Sequence, residues 1–246
     1  MLEGNVTNLT EATVVKAGAD AQIERMSEIH RFTPSELDQL KILYQGSHNG
    51  QSLKVFRDLR TRLYSKAGGK NFLCLVTSVV PSGGCSYVVK NLAAAIALDR
   101  MRTSLVVDCN FYAPSMRQLI VTDTEIGVTD YLDANDLGIE NIVHASGIPR
   151  LRVIPVGNNT EGAAERLSSA RMQLFLRELK TRYPDRYIII DAPSISEYSA
   201  EARIMAGLCD FVVLVVPYGR VTVSQVEKCI EAVGRKSLAG IVYNYM

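Results

Sequence analysis

The chain has 246 residues, 47% of them apolar, with 27 basic against 26 acidic side chains and a formal net charge of +1. That length suits one large α/β domain with a short appendage, and the apolar content excludes a chiefly disordered polypeptide. The near-neutral charge excludes a global field that would gather nucleic acid or an acidic membrane.

Residues 1–50 read as a polar N-terminal arm, ending in the turn-rich run from Gln45 to Gly50. The arm has no hydrophobic signal core and no later apolar run approaches the roughly 18–20 residues of a membrane span, so a cytoplasmic location is expected. Residues 51–246 read as one α/β domain. Leu53, Phe56, Leu59 and Leu63 recur at helical spacing, predicting an amphipathic helix over 51–66 that Gly68 and Gly69 stop. Buried strands are expected at 71–78, 104–109, 151–156, 187–191, 211–216 and 240–244. Helices are expected at 86–100, 168–182, 200–208 and 222–233. Continuous Val/Ile/Leu runs alternating with helices predict a mostly parallel sheet covered on both faces, with ligands outside the carboxyl ends of the strands.

The five cysteines (Cys74, Cys85, Cys109, Cys209, Cys229) are odd in number and widely spaced. They read as free thiols, with no CxxC pair for zinc. His30, His48 and His144 are scattered without ligand spacing.

Three strand-end loops carry the chemistry. Thr77-Ser78-Val79-Val80-Pro81-Ser82-Gly83-Gly84-Cys85-Ser86 links the first strand to a helix, offering backbone N–H groups and the helix dipole to a phosphate. A GxxxxGK(S/T) loop also needs a lysine for the phosphates and a hydroxyl for magnesium. Here Ser86 keeps the hydroxyl and Gly84 the last glycine, while Cys85 stands at the lysine and Val79 at the first glycine. Cys85 also admits a second reading as a thiol made acidic by the helix N-terminus. Asp108 and Asp191 end two later strands, and acids facing a phosphate loop are what a magnesium-nucleotide site needs.

These residues resemble the cytoplasmic kinase domain of bacterial polysaccharide co-polymerase tyrosine autokinases, in the MinD/ParA-like group of P-loop ATPases. The likeness covers about Leu53 to Asn244. Thr77–Ser86 matches the family's TSxxPGEGKS, Asp108–Ser115 its DADLRRPS, and Asp191–Ser194 its DTPP. Residues 165–172 match ELLSSPRM, which has no chemical duty. The resemblance implies a P-loop fold, with Asp108, Asn110 and Asp191 as remnants of the catalytic acids. It implies that Ser82, Gly83, Gly84, Cys85, Ser86 and Asn244 face a nucleotide, the last at its adenine. Ser86, Asp108 and Asp191 would hold magnesium.

The departures fall on the chemistry. Cys85 replaces the lysine, Asn110 the second aspartate, and Tyr112-Ala113 an arginine pair. ATP or ADP with magnesium is therefore expected to bind weakly or not at all. Lys70 and Lys90 are conceivable substitute cations, with Lys90 expected to point away from the phosphates. The family's tail of acceptor tyrosines has one counterpart, Tyr245. The subunit-docking pattern ExxRxxR becomes Lys54-x-x-Arg57-x-x-Arg60, leaving Arg57 and Arg60 as candidate contacts of a homo-oligomer.

The favoured reading is a non-catalytic regulatory or scaffolding subunit of exopolysaccharide or capsule export. It would dock on the cytoplasmic tail of a membrane co-polymerase that regulates chain length, at the inner membrane. An active, slow tyrosine autokinase of that pathway is the alternative, and a MinD-like positioning ATPase the third.

Overall fold

A computed structural model describes residues 31–47, 50–124 and 126–245. A seven-stranded sheet runs in the order β3-β4-β2-β5-β1-β6-β7, built from β1 (Leu73–Ser78), β2 (Thr103–Asp108), β3 (His144–Ala145), β4 (Leu151–Ile154), β5 (Arg186–Asp191), β6 (Phe211–Pro217) and β7 (Leu238–Asn244). Every pairing is parallel except β3 with β4. β1, β2, β5 and β6 are buried along their whole length, as their unbroken apolar runs require when helices cover both faces.

The helices are α1 (Pro34–Gln39), α2 (Gly50–Ala67), α3 (Cys85–Ala97), α4 (Val128–Asp133), α5 (Ile139–Ile142), α6 (Ala163–Ser168), α7 (Ala170–Arg182), α8 (Ser199–Leu208) and α9 (Val223–Val233). One apolar cluster joins α7, α8 and α9 to one face of the sheet, and another joins α2 and α3 to the opposite face. The α/β architecture and the major elements agree with the sequence reading. The short β3, α4, α5 and α6 were not expected, because two to six residues carry too little periodicity to read.

The expected polar arm needs revision in its described part. Thr33 and Glu36 form a capping box that starts α1. Ile42 and Leu43 are buried in the α2–α3 cluster, and Asn91 of α3 accepts the Leu43 N–H at 2.7 Å and donates to Lys41 O at 3.0 Å. Residues 31–47 thus pack on the α/β domain, because a buried asparagine satisfies their backbone. The arm before residue 31, with His30, and His48 lie outside the described residues. No helix among the described residues is long and apolar enough to cross a membrane.

Candidate functional site

β1 lies between β5 and β6, so its carboxyl end, the end of β5 and the start of α3 meet. The loop from Val79 to Gly84 turns there. Gly84, at φ +93°, is the N-cap of α3, and no side chain caps the helix. Its first-turn N–H groups therefore stand open to an anion. A Cβ on Gly83 would meet Ser78 Cβ and Val80 O at 2.9 Å, so this turn demands glycine. Ser82 occupies the left-handed region at φ +53°, where the family motif has glycine.

Two side chains from distant parts of the chain hold the loop. Arg220 Nη1 and Nη2 donate to Ser82 O and Pro81 O at 2.8 and 3.1 Å. Asn244 Nδ2 donates to Gly83 O at 3.0 Å and lies directly over Gly84. The asparagine expected at an adenine thus engages the loop itself. Sequence reading missed Arg220, which follows a different strand and carries no motif.

Cys85 does not reach outward as a lysine would. Its thiol is buried, 2.9 Å from Asp191 Oδ1 and 3.1 Å from Val76 O. Burial, and then the charge of Asp191, push its pKa well above the ordinary thiol value. The acidic-thiol reading is therefore overturned: desolvation and a neighbouring carboxylate outweigh the helix dipole.

Ser86 Oγ donates to Asp191 Oδ2 at 2.7 Å. Asp108 accepts the N–H groups of Asn110, Ser115 and Met116 at 3.1, 2.9 and 3.0 Å. Both carboxylates are fully buried. Burial and then the charge of Asp191 push the Asp108 pKa up to about 7. Burial pushes Asp191 up to about 6, against the lowering effect of Cys85, Ser86 and Lys90. Asn110 Oδ1 accepts the Ala113 N–H at 3.2 Å and closes the turn after β2.

The cleft above these groups holds about 430 Å³, and among the described residues no lysine or arginine lines it. Tyr112, at the position of the family's arginine pair, stacks on Tyr198 with ring centroids 3.6 Å apart and donates to Glu201 Oε1 at 2.6 Å. Ser194 Oγ, buried in the lining, has no hydrogen-bond partner among the described residues. Lys90, one turn beyond Ser86, is buried and does not line the cleft, although its charge stabilises ionised Asp191. Lys70 precedes β1, at the other end of the strand.

Arg57 is exposed on α2. Arg60 is partly buried and donates to Ala95 O at 2.7 Å, near the end of α3, so it serves this chain's own packing.

No family model matches the chain. It is 33% identical over 196 residues to the tyrosine-protein kinase CpsD of Streptococcus agalactiae, a match covering 78% of this chain and 82% of that protein. The chain belongs to the bacterial tyrosine-protein kinase family. EpsB of Ralstonia nicotianae is 29% identical over 229 residues, covering 92% of this chain but 29% of EpsB, so the chain spans under a third of that longer relative.

The kinase domain of the Escherichia coli tyrosine kinase ETK superimposes with a TM-score of 0.71 at 21% identity, covering 87% of this chain and 88% of that one. The MinD protein of Pyrococcus horikoshii, solved with Mg-ADP, superimposes with a TM-score of 0.57 at 20% identity, covering 70% and 68%. The fold is thus that of P-loop NTPases.

The residues fit such a ligand in part. The open N-terminus of α3 would take phosphate oxygens, and Ser86 with Asp191 would hold magnesium, which would neutralise phosphate charge. The countercharge a lysine supplies from position 85 is absent from this tyrosine-kinase family member.

Proposed function

We propose that this chain is a catalytically impaired tyrosine kinase relative that serves as a regulatory or scaffolding subunit in exopolysaccharide or capsule biosynthesis and export. The observation that carries the reading is the inward Cys85 thiol, 2.9 Å from Asp191, in a cleft that no cationic side chain lines among the described residues. Phosphoryl transfer depends on neutralising and positioning phosphate charge. Two buried carboxylates, with Lys90 outside the cleft and no lysine at position 85, oppose an anionic ligand instead. A charge-assisted hydrogen bond is worth about 1.5–3 kcal/mol, so its loss weakens nucleotide binding by about 10- to 150-fold.

The pathway and partner follow from the resemblance: the cytoplasmic tail of a membrane co-polymerase, which would bring this chain to the inner membrane. Arg57, exposed on α2, is the available contact for a homo-oligomer. The second reading, a slow magnesium-dependent kinase, draws on the retained Ser86–Asp191 pair and the uncapped start of α3.

Calorimetry of Mg-ATP on the purified chain tests the choice, with phosphotyrosine analysis after expression. Weak or absent binding and no phosphotyrosine are expected. Low-micromolar affinity together with phosphotyrosine that disappears in Asp108→Ala would establish the active kinase instead.

A further inference from the structure

Arg152 of β4 and Arg186 of β5 lie on one face of the sheet, at the end opposite the phosphate loop. Strand alternation groups Arg152 with Ile154, and Arg186 with Ile188 and Ile190. Those isoleucines share one core cluster with Leu105 of the intervening strand β2. Arg186 is 6% exposed and its Nε has no hydrogen-bond partner. Nη1 of Arg152 is also buried without one. Neither guanidinium has an ion pair among the described residues.

Asp185 attracts Arg186 by its charge but makes no hydrogen bond to it, and two acids of neighbouring helices pair with Arg182 instead. Glu140 and Glu178 hold Arg182 at 3.0 and 3.3 Å, and Asp185 Oδ2 accepts from Thr103 Oγ1 at 3.1 Å. Tyr183 lies with its ring centroid 3.8 Å from Arg186 Cζ, so it covers the guanidinium face, while Nε at the edge keeps no hydrogen-bond partner.

A buried guanidinium N–H without an acceptor is unfavourable, and the like charges of these two arginines oppose each other. An oxyanion supplies both the acceptors and the missing charge, in the geometry that an arginine fork recognises. We propose that Arg152 and Arg186 form a binding site for a phosphate-class oxyanion, separate from the phosphate loop.

Thermal melting of the full chain in increasing inorganic phosphate, at constant ionic strength, tests the site. The melting temperature is expected to rise by about 3–6 °C at phosphate tenfold above its Kd. R186M and R152M replace a charge by an apolar chain of similar length. Each should melt at or above wild type without phosphate and lose the rise. Should R186M fail to fold, R152M, at the less buried position, gives the same reading.

No rise in wild type overturns the proposal. So does a rise that survives both substitutions, which would place phosphate elsewhere, or an equal rise with acetate. Sedimentation with phosphatidate vesicles, lost in R186M, would assign the anion to a lipid headgroup. No sedimentation, with the phosphate rise intact, would assign it to a free phosphate.

Discussion

Asp108 and Asp191 stand in register at the ends of adjacent parallel strands, both fully buried. Burial raises both pKa values above the ordinary range, and the charge of Asp191 raises Asp108 further. The folded state therefore binds more protons than the unfolded chain between about pH 4 and neutrality. Stability from this pair is fully present below the unfolded carboxylate pKa and is lost as pH rises through the folded values. Urea denaturation should show a decline from pH 5 to pH 8, and Asp191→Asn should flatten it. That variant keeps acceptors and donors for Cys85 and Ser86, and at pH 8 it should gain about 1–3 kcal/mol. An unchanged pH profile in Asp191→Asn would remove the pair as its source.

Restoring the lysine tests whether the loop retains phosphate-binding geometry. Cys85→Lys places a cation beside the same open helix N-terminus and beside Asp191. Calorimetry should register about a tenfold or greater gain in Mg-ATP affinity. Adding Asn110→Asp should sharpen the magnesium dependence. A folded double mutant with no gain would mean that the loop no longer takes phosphate.

Thiol chemistry offers an independent check on the inward orientation of Cys85. Burial and Asp191 keep that thiol protonated, so alkylation at pH 8 in native buffer should leave it unlabelled by peptide mass spectrometry. Denaturant should expose it to rapid labelling. Fast modification of the native protein would contradict the buried contact.

The docked segment 31–47 depends on Asn91, which is 1% exposed. Asn91→Ala leaves the Leu43 N–H without its acceptor, and should cost about 1–3 kcal/mol of stability in urea titrations. Proteolysis near residues 40–47 should accelerate in the same variant. A change below about 0.5 kcal/mol would show that the segment's backbone finds another partner.

The strands and the positions of their loops were legible because each buried strand is a local run of apolar residues. The replacements at Cys85 and Asn110 were legible because a motif has a fixed spacing. The duties of Arg220 and Asn244 were not, since they contact Ser82 and Gly83 across 138 and 161 residues of chain. No local period records a contact of that separation. Arg60 looked like an outward docking residue on a helix face, yet its guanidinium turns to Ala95 O on a neighbouring helix.

The α/β order of elements and the loss of the phosphate lysine are both properties of contiguous residues, and so they are readable without the fold. The inward turn of the Cys85 thiol to Asp191, the packing of residues 31–47 on α3, and the shared face of Arg152 and Arg186 with their unpartnered Nη1 and Nε arise from the folded arrangement alone. Each of those outcomes depends on which distant groups burial brings together, and on whether the charges and hydrogen bonds enclosed there find partners.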